Sequence, residues 1–573
     1  EITTRLVGSE MCIRDSNMTE FEELAELIFP DIIETITDLE KRYPERNLPE
    51  GAIVARFAPS PTGFLHTGSL FATLIAWKFP RQTNGVFYTR LEDTDTKREI
   101  EGSGVELLKQ LEAFGIIPNE GYMGTYEKGQ YGPYKQSNRA QIYKIVIKDF
   151  IKRGLAYPCF CSSEDLTMLR AYQEKNKLNP GYYGEYAKCS TLSPKVAMEK
   201  IQNGEPYVIR FRSQGNYQNK VKITDLIRGN LELAQNDQHI VILKSDGLPT
   251  YHFAHLVDDH FMRTTHVTRG EEWLPSLPIH YELFDAAGWK RPNYAHLPVI
   301  MKLDNGNRRK LSKRKDPEAS VSYFLENGYP VEGILEYLVT IANSNFEEWR
   351  LQNMSADIFT FPLSFDKMTL DGALFDLAKV ENICKERLSR LNKEEFTNKA
   401  YAFAIEYDEQ LKNLIERNPE FFKSIINIER EKENPRKDYT TYKDIYPIIS
   451  FFYNDLYDAL LDTTELPFNY ERFTKDTIIY VLETFKSNMG LEYDEEGWFN
   501  NLKETTSKCG FCPNVKEYKK NKEAYPGHVG DISEMIRIAF STRKNTPNPY
   551  FVLQILGEKE VARRIDKVIQ QLK

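Results

Sequence analysis

The sequence has no long apolar run, and no hydrophobic stretch approaches the roughly 20 residues that a membrane-spanning helix needs. It also has no secretory signal with a basic start, an apolar centre and a small-residue cleavage site. Its 7 cysteines are scattered along 573 residues and do not make a disulfide framework. These absences argue against a membrane protein and a disulfide-rich secreted protein, and we expect a cytoplasmic protein without a membrane partner.

An excess of positive charge is missing as well, since the formal net charge is −9 and the isoelectric point is about 5.7. This balance argues against a protein that coats nucleic acid without specificity. It still permits an RNA partner, because RNA binding requires only a local basic face. The hydrophobic content of 41% and the charged content of 28% are typical of a globular protein.

The first residues do not have the pattern of a folded segment. "LVGSEMCIRDS" (6–16) has no apolar periodicity and precedes Met18. It resembles translated sequencing-adapter read-through. We therefore leave residues 1–17, including Cys12, out of the expectations about the fold.

A strand, a loop and a helix are predicted near the start of the main chain. "AIVARFA" (52–58) predicts a buried strand, "LFATLIAWKF" (70–79) a helix and "GVFYTRLED" (85–93) a second strand. The stretch "ARFAPSPTGFLHTGS" (55–69) thus lies between the strand and the helix of a βαβ unit. Doubly wound folds bind ligands at this position, at strand ends and helix N-termini.

We predict a multidomain protein with an α/β Rossmann-like catalytic domain, an inserted α+β subdomain and an all-α C-terminal region. Tyrosines, glycines and cysteines become frequent after residue 156, which indicates the insert, and a helical pattern dominates after about residue 320. The predicted boundaries are 1–17 for the non-native segment, 18–50 for an N-terminal helical extension, 51–155 and 239–305 for the two halves of the catalytic domain, 156–238 for the insert, 306–380 for a signature loop with a helical domain, and 381–573 for the helical region.

The Pro- and Gly-rich stretch has the residue types that a phosphate site needs. A lone histidine in a loop is more often structural than catalytic. His66, however, follows the predicted strand and faces the start of the predicted helix, where free backbone N–H groups favour anions. Gly63 and Gly68 permit close approach of a ligand. Hydroxyl side chains that can donate to phosphate oxygens surround the histidine: Ser60, Thr62, Thr67 and Ser69.

A second stretch, "NRRKLSKRK" (307–315), carries six basic side chains in nine residues. A charge run alone is typical of a solvated loop. Here Leu311 and Ser312 interrupt the run, so that Lys310 and Lys313 bracket a short element. Mobile lysines suit a transferring polyphosphate, because they neutralise the charge that spreads over its oxygens in the transition state.

The two stretches together carry a family resemblance. "PSPTGFLHTGS" resembles the first signature of class I aminoacyl-tRNA synthetases, and "KLSKR" resembles the second. Further motifs are similar to those of bacterial glutamyl-tRNA synthetases, in the family's order and spacing: "ARFAPSPTG", "RLEDTD" (90–95), "YHFAHLVDD" (251–259), "RGEEW" (269–273) and "GALFDLAK" (372–379). Glutaminyl members carry an acidic residue where this chain has Ser60, and they end in β-barrels. The resemblance therefore favours the glutamyl branch.

This resemblance implies a reaction and its partners. The chain would activate L-glutamate with ATP and Mg²⁺ to glutamyl-adenylate and transfer the glutamyl group to the 3′ end of tRNA(Glu). The segment 156–238 would hold the acceptor end of the tRNA, 306–380 would contact its stem, and 381–573 would read the anticodon. A monomer is expected.

The resemblance also implies roles for individual residues. The catalytic set is His66, Ser69, Lys310 and Lys313. The ATP-binding set is His66, Gly68, Glu272, Trp273 and Lys313. The glutamate-binding set is Arg56, Ala58, Ser60, Glu92, Tyr251, His255 and Arg269. Arg56 and Arg269 are assigned to carboxylates because a guanidinium matches a carboxylate bidentately, and Glu92 would receive the α-ammonium group.

The chain departs from the family pattern at a few positions. Ser69 stands for the common final histidine of the first signature, and Leu311 and Arg314 replace the usual Met and Ser of the second. His255 stands where many relatives have Asn. We hypothesise that its ring contacts the substrate glutamate and makes the pocket pH-sensitive near the reference pKa of about 6.5.

Three cysteines of the predicted insert form a candidate zinc site. "CFC" supplies Cys159 and Cys161, and Cys189 follows. Some glutamyl enzymes bind a structural zinc there through such a pair, a later Cys and a His or Tyr. No histidine follows Cys189 closely, but Tyr182, Tyr183 and Tyr186 precede it, and we take Tyr183 as the candidate for the fourth ligand while the other two stay open. The alternative is that the reduced thiols pack as small hydrophobes.

Three other functions are alternatives to ATP-dependent charging of tRNA with glutamate. A small-molecule nucleotidylyltransferase shares a related His-Gly signature, but the long insert and the helical tail disfavour it. A non-catalytic RNA-binding relative is disfavoured by His66, Lys310 and Lys313. A short relative that glutamylates a modified tRNA base lacks an anticodon-binding region. Whether tRNA(Gln) is charged as well is left open by the sequence.

Overall fold

The computed structural model describes residues 20–95 and 99–573. The segment predicted to be non-native, 1–17 with Cys12, lies outside this part of the chain. Two compact units are present: the first consists of residues up to Tyr323 together with Leu335–Asp376, and the second of Phe324–Ile334 together with Leu377–Lys573. No helix in the described part is long and apolar enough to cross a bilayer.

The strands belong to the first unit. In chain order they are β1 (Val54–Phe57), β2 (Val86–Thr89), β3 (Glu120–Tyr122), β4 (Glu127–Lys128), β5 (Ala156–Cys159), β6 (Val208–Phe211), β7 (Lys220–Asp225), β8 (Gly229–Ala234), β9 (Val241–Leu243), β10 (His266–Gly270), β11 (Asn293–Leu297), β12 (Met301–Asp304) and β13 (Asn307–Lys310).

The helices up to residue 352 are α1 (20–28), α2 (Ile36–Arg42), α3 (Thr67–Gln82), α4 (Ser103–Ala113), α5 (Ala140–Lys152), α6 (Ser163–Lys175), α7 (Pro194–Gln202), α8 (Tyr251–Phe261), α9 (Leu277–Ala287), α10 (Val321–Glu326), α11 (Val331–Ala342) and α12 (Phe346–Gln352). A short 3-10 helix, Glu271–Ser276, follows β10 directly.

Parallel strands form the centre of the first unit. The order β1-β2-β3-β4 makes one sheet, with β1, β2 and β3 parallel. The order β10-β11-β7-β8 makes another, with β10, β11 and β7 parallel. The backbone N–H of Thr265, just before β10, donates to the Val54 carbonyl of β1 at 2.9 Å. The N-terminal ends of β1 and β10 therefore lie side by side. The parallel strands and the helices between them confirm the mixed α/β fold of this region.

The strands on the two sides of the predicted boundary at 238 pair with each other. One strand after the boundary joins the sheet of the insert, and one strand before it joins a sheet of the catalytic domain. β9 was expected in the catalytic sheet, but it pairs antiparallel with β6, which pairs with β5. The β7–β8 hairpin lies inside the predicted insert, yet β7 pairs with β11. A strand of three to six residues fits either sheet, so its sequence does not fix the partner strand.

The predicted N-terminal extension forms α1 and α2, which pack on α5 and α8. Leu24 and Leu39 are buried in the same core as α5. Lys148 of α5 donates to the carbonyls of Phe29 and Ile32 at 3.0 and 2.7 Å. The extension is thus tied to the helices behind the parallel strands by apolar contacts and hydrogen bonds.

The second unit is helical, as the sequence predicts. Its main segment is Leu377–Lys573, and Phe324–Ile334 belongs to it as well. In α24 the buried residues Val561, Ile565, Val568 and Leu572 recur at helical spacing and enter the core of this unit. Its helices are α13 (Leu377–Arg390), α14 (Lys393–Tyr407), α15 (Glu409–Arg417), α16 (Pro419–Ile426), α17 (Ile445–Ile449), α18 (Asn454–Thr463), α19 (Lys475–Lys486), α20 (Glu495–Lys508), α21 (Val515–Lys520), α22 (Val529–Ser541), α23 (Pro549–Leu556) and α24 (Glu558–Leu572).

Candidate active site

A cavity of about 1250 Å³ opens at the carboxyl ends of β1 and β10 and at the N-terminus of α3. The predicted site residues converge on it, with the exceptions of Lys313 and His255. Those that line it are Arg56, Ala58, Ser60, His66, Gly68, Ser69, Glu92, Tyr251, Arg269, Glu272, Trp273 and Lys310. Sequence positions more than 200 residues apart thus form one site.

One side of the cavity is built on buried arginine–carboxylate pairs. Arg56 extends from β1, and its Nε contacts both carboxylate oxygens of Asp259 at 3.2 and 3.3 Å. Arg90 donates to Asp259 at 2.8 Å and to Glu92 at 3.0 Å. Burial alone would raise the pKa of Asp259, but Arg56, Arg90 and His255 hold it well below its usual range. Asp259 is therefore an anion that fixes both guanidinium groups.

Glu92 presents a carboxylate at the wall of the cavity. Burial raises the pKa of Glu92, although Arg90 and Arg56 oppose the shift. This position, next to two arginines, is suited to accept hydrogen bonds from an ammonium group. It is the role that the sequence predicts for Glu92.

Arg269 is the second cation of the predicted glutamate site, and its environment differs from that of Arg56. Its guanidinium donates to Tyr251 at 3.1 Å, to His296 at 3.0 Å and to His280 at 3.3 Å. In the described part of the chain, no carboxylate lies within ion-pair distance of it. Its charge is therefore available to an anion that enters the cavity.

Tyr251 and Trp273 form an aromatic wall beside Arg269. Their ring centroids are 4.5 Å apart with an interplanar angle of 38°. Trp273 lies in the 3-10 helix after β10 and is 37% exposed, so its face is accessible from the cavity. Such a surface suits the stacking of a planar ring such as adenine.

His255 does not contact the cavity, contrary to the hypothesis that its ring touches glutamate. The ring is fully buried in α8. Its Nδ1 lies 2.6 Å from Asp259, and its Nε2 lies 2.9 Å from the Tyr294 hydroxyl. Because α8 places residues four apart on one face, His255 lies behind Tyr251 and against Asp259. Burial lowers the pKa of His255 to about 4, and the Asp259 carboxylate only partly offsets this.

The opposite side of the cavity is the N-terminus of α3. His66 is the N-cap of this helix, and its Nδ1 accepts from the Gly68 N–H at 2.9 Å. A Cβ at position 68 would lie 3.2 Å from that nitrogen, so glycine suits the close turn. Burial lowers the pKa of His66, and Lys313 and Lys310 add to this shift. The neutral ring can therefore donate from its other nitrogen.

The second signature begins at the end of a hairpin and continues as a loop, because Lys310 is the last residue of β13 and residues 311–314 follow it without regular structure. β12 and β13 pair antiparallel, and Asn305 and Gly306 form the turn with φ values of 50° and 83°. Lys310 ends β13, lines the cavity and contacts Glu272 at 3.1 Å. Lys313 lies outside the lining, because its ammonium donates to the carbonyl of Phe64 in the first signature. Both lysines are thus adjacent to the N-terminus of α3.

Asp316 holds the second signature in place. It is buried, and it accepts from both terminal nitrogens of Arg309 at 2.6 and 2.8 Å and from the Ser312 N–H at 2.9 Å. Arg309 is the main reason why the pKa of Asp316 lies far below its usual range. The sequence did not single out Asp316, since an acidic residue after a basic run has no specific signal.

The cysteines that the sequence assigns to zinc lie together. The sulfur atoms of Cys159, Cys161 and Cys189 are all within 4.8 Å of one another, and no other such cluster occurs in the described ranges. The expected fourth ligand differs from the structure. Tyr183 donates to the Asn179 carbonyl, whereas the hydroxyl of Tyr182 lies 3.3 Å from Cys161 and 3.5 Å from Cys159.

The sequence reasoning missed several residues behind the cavity wall. Asp259, His280 and His296 contact the arginines of the site, and Asp225 contacts His296. One of them had a usable signal: Asp259 follows Tyr251 and His255 at intervals of four, which places all three on one face of a helix. The others come from separate strands and helices, and only the fold brings them to Arg269.

Comparisons with known proteins agree with this geometry. Residues 52–358 match the family model described as tRNA synthetases class I (E and Q), catalytic domain. A glutamate–tRNA ligase of Clostridium perfringens is 46% identical over 95% of this chain and 100% of its own length. A glutamate–tRNA ligase of Acetivibrio thermocellus is 44% identical over 96% of this chain and 100% of its own length.

Solved structures lead to the same family. The crystal structure of the glutamate-tRNA synthetase from Elizabethkingia anophelis matches with a TM-score of 0.71 and 27% identity, over 91% of this chain and 100% of that chain. A glutamate–tRNA ligase from Elizabethkingia meningosepticum, solved in complex with its amino acid, matches with a TM-score of 0.70 and 26% identity, again over 91% and 100%. The chain therefore belongs to the glutamyl and glutaminyl family of class I aminoacyl-tRNA synthetases.

Proposed function

We infer that this chain is a glutamate–tRNA ligase. Relatives of that name match nearly its whole length at 44–46% identity. One observation within the site carries the inference. Arg56 and Arg269 lie on one wall of the cavity, and the N-terminus of α3 with Lys310 of the second signature lies on the opposite side. A dicarboxylic amino acid and a polyphosphate both require such groups.

The amino-acid side of the cavity would bind glutamate through complementary charges. Arg56 and Arg269 would hold its carboxylates, and Glu92 would accept from its ammonium group. Ser60 and Ala58 line the same wall and add no negative charge. An acidic side chain at position 60 would repel the side-chain carboxylate of glutamate, so Ser60 supports a preference for glutamate over glutamine.

The phosphate side of the cavity would support adenylate formation. An α-carboxylate oxygen of glutamate attacks the α-phosphorus of MgATP, a new O–P bond forms, and the bond to the bridging oxygen breaks as pyrophosphate leaves. His66 would donate from the nitrogen that does not face Gly68, and Lys310 and Lys313 would neutralise the charge that develops on the phosphate oxygens. Catalysis of this step then rests on positioning and electrostatics.

The second step would consume the adenylate. A ribose hydroxyl of the terminal tRNA nucleotide attacks the glutamyl carbonyl, an ester bond forms, and AMP leaves with the electrons of the broken C–O bond. We propose that 156–238 holds the acceptor end, 306–380 contacts the stem and 381–573 reads the anticodon. The similarity to glutamate–tRNA ligases and the helical second unit support this assignment.

Charging of purified tRNA isoacceptors tests the function. Labelled glutamate should become acid-precipitable with tRNA(Glu) and ATP, and AMP and pyrophosphate should form. Glutamine in place of glutamate, and reactions without tRNA, are the controls. Charging of tRNA(Gln) with glutamate would identify a non-discriminating enzyme, whereas nucleotidyl transfer to a small molecule without any tRNA charging would refute the ligase.

We also propose that the cysteine cluster holds a structural zinc ion. Cys159, Cys161 and Cys189 supply three sulfur ligands, and the adjacent hydroxyl of Tyr182 is the candidate for the fourth position in place of Tyr183. The ion would link β5 to the segment around Cys189. Metal analysis should find one zinc per chain in the wild type and in Cys509→Ser, but none in Cys161→Ser. A metal-free wild type would end this proposal.

A further inference from the structure

Arg269 is held by acceptors that carry no charge of their own. A guanidinium has five N–H groups and cannot accept a hydrogen bond. The His296 Nε2, the His280 Nδ1 and the Tyr251 hydroxyl oxygen must therefore all act as acceptors toward it, at 3.0, 3.3 and 3.1 Å. One N–H on each terminal nitrogen is left for a ligand. Together they match the two oxygens of a carboxylate.

The strand register explains why His296 meets Arg269. β10 and β11 are parallel neighbours, and Arg269 pairs with His296 in their register. Paired residues of adjacent strands project to the same face of a sheet. The His296 side chain is fully buried, so water does not compete for its ring nitrogens.

Asp225 determines which nitrogen of His296 carries the proton. Its Oδ2 lies 2.7 Å from His296 Nδ1, and the carboxylate also accepts from the backbone N–H groups of Ile227 and Arg228 at 3.0 and 2.9 Å. A carboxylate held in this way only accepts, so the proton lies on Nδ1. The lone pair of Nε2 is then directed at Arg269.

His280 is fixed by a similar relay. Its Nδ1 faces Arg269, and its Nε2 lies 3.0 Å from the Nδ1 of His252. Because Nδ1 must accept from the guanidinium, the proton of His280 lies on Nε2 and is donated to His252. Burial, together with the neighbouring histidines and Arg269, keeps the pKa of His280 well below its ordinary value.

We propose that His296, oriented by Asp225, is a positioning residue that presents Arg269 as an unneutralised cation to the carboxylate of the substrate. His280 supports the same guanidinium from its other end. The arrangement contrasts with Arg56, whose charge is balanced by Asp259 inside the protein. Holding Arg269 with a carboxylate would fix it equally well but would cancel the charge that selects an anion. This inference rests on the proposed function, because it names glutamate as the ligand.

The variants His296→Leu, His296→Gln and His266→Gln test the proposal. Leucine removes the acceptor, whereas glutamine restores an acceptor at about the reach of Nε2. His266 begins β10, the strand that carries Arg269, but its Nδ1 contacts Thr265 and it does not line the cavity, so His266→Gln is the matched control. Asp225→Asn is a second route, because its amide group would move the proton of His296 to Nε2.

Glutamate binding to the full chain is measured by calorimetry, and charging kinetics are measured in parallel. His296→Leu should weaken glutamate binding by about 10-fold or more, the loss expected for a hydrogen bond to a charged group. The KM for glutamate should rise while kcat and the KM for ATP stay within about twofold, because the contact is made equally in the ground and transition states. His296→Gln should recover most of the affinity, and Asp225→Asn should resemble His296→Leu.

The outcomes separate this inference from the proposed function. Wild-type affinity in His296→Leu, or an equal loss of ATP and glutamate affinity in that variant, would overturn the positioning role. A loss in His296→Gln as large as that in His296→Leu would also overturn it. If the wild type fails to charge tRNA in the charging assay, that result refutes the proposed function. The positioning role of His296 is judged separately, by glutamate binding.

Discussion

Substitution of Asp259 by asparagine should destabilise the first unit strongly. The carboxylate is 1% exposed, contacts Arg56 and Arg90, and belongs to a buried group of three arginines and three carboxylates that also includes Glu92, Asp258 and Arg139. Asparagine removes one negative charge and leaves the group with an excess positive charge. Breaking a buried pair in this way costs about 3–5 kcal/mol, compared with a total stability of roughly 5–15 kcal/mol for a domain.

The assay is equilibrium unfolding in guanidinium chloride, with Asp285→Asn as the control. Asp285 pairs with Arg291 on the surface, where both side chains are exposed, and such pairs contribute about 1 kcal/mol or less. Asp259→Asn should lower the free energy of unfolding by about 2 kcal/mol or more beyond the loss in Asp285→Asn. If the two variants lose the same stability, Asp259 does not anchor the arginines as we describe.

Other buried polar groups of the first unit can be tested in the same way. Asp316→Asn removes the ion pair that joins Arg309 to the loop after β13 and loosens the second signature, so kcat for charging should fall by about 10-fold or more while the KM for glutamate is unchanged; an unaltered kcat would contradict this. His255→Asn should change the KM for glutamate by less than about threefold between pH 6 and 8 but lose about 1–3 kcal/mol of stability, because its partners are buried protein groups; a large rise in KM would restore the contact with glutamate. The folded-state pKa values of His239 and His255 are about 4, below the ordinary 6.5, so the unfolded chain binds more protons between these values. Each should therefore lower the free energy of unfolding by about 1.4 kcal/mol per unit as pH falls through that window, and His239→Gln should remove its share of the slope.

The sequence predicted the parts of the site that depend on local pattern. The strand, Pro- and Gly-rich turn and helix around His66 lie where the apolar periodicity indicates, because the helix start and its N-cap are encoded within a few residues. The helical second unit was predicted for the same reason. Asn305 and Gly306 are a standard hairpin signal, so β12 and β13 could have been predicted where the sequence analysis expected only a charged loop.

The rest of the site depends on contacts between distant segments. His296 meets Arg269 only through the register of β10 and β11, and Asp225 reaches His296 only because β7 joins that sheet. Neither His296 nor Asp225 has a motif of its own. The pairing of β9 and β7 outside their predicted domains has the same origin, since a short strand does not specify its neighbour.

Charging of tRNA(Glu) by the wild type and by Arg269→Gln tests the account most directly. Glutamine keeps hydrogen-bond donors and an apolar stem at this position but removes the cation that faces the cavity. The wild type should esterify glutamate to tRNA with ATP, and the variant should lose about 100-fold or more in kcat/KM for glutamate, as expected for the loss of a buried charge partner. A wild type that transfers no glutamate, or a variant that charges as well as the wild type, would contradict the assignment of this cavity.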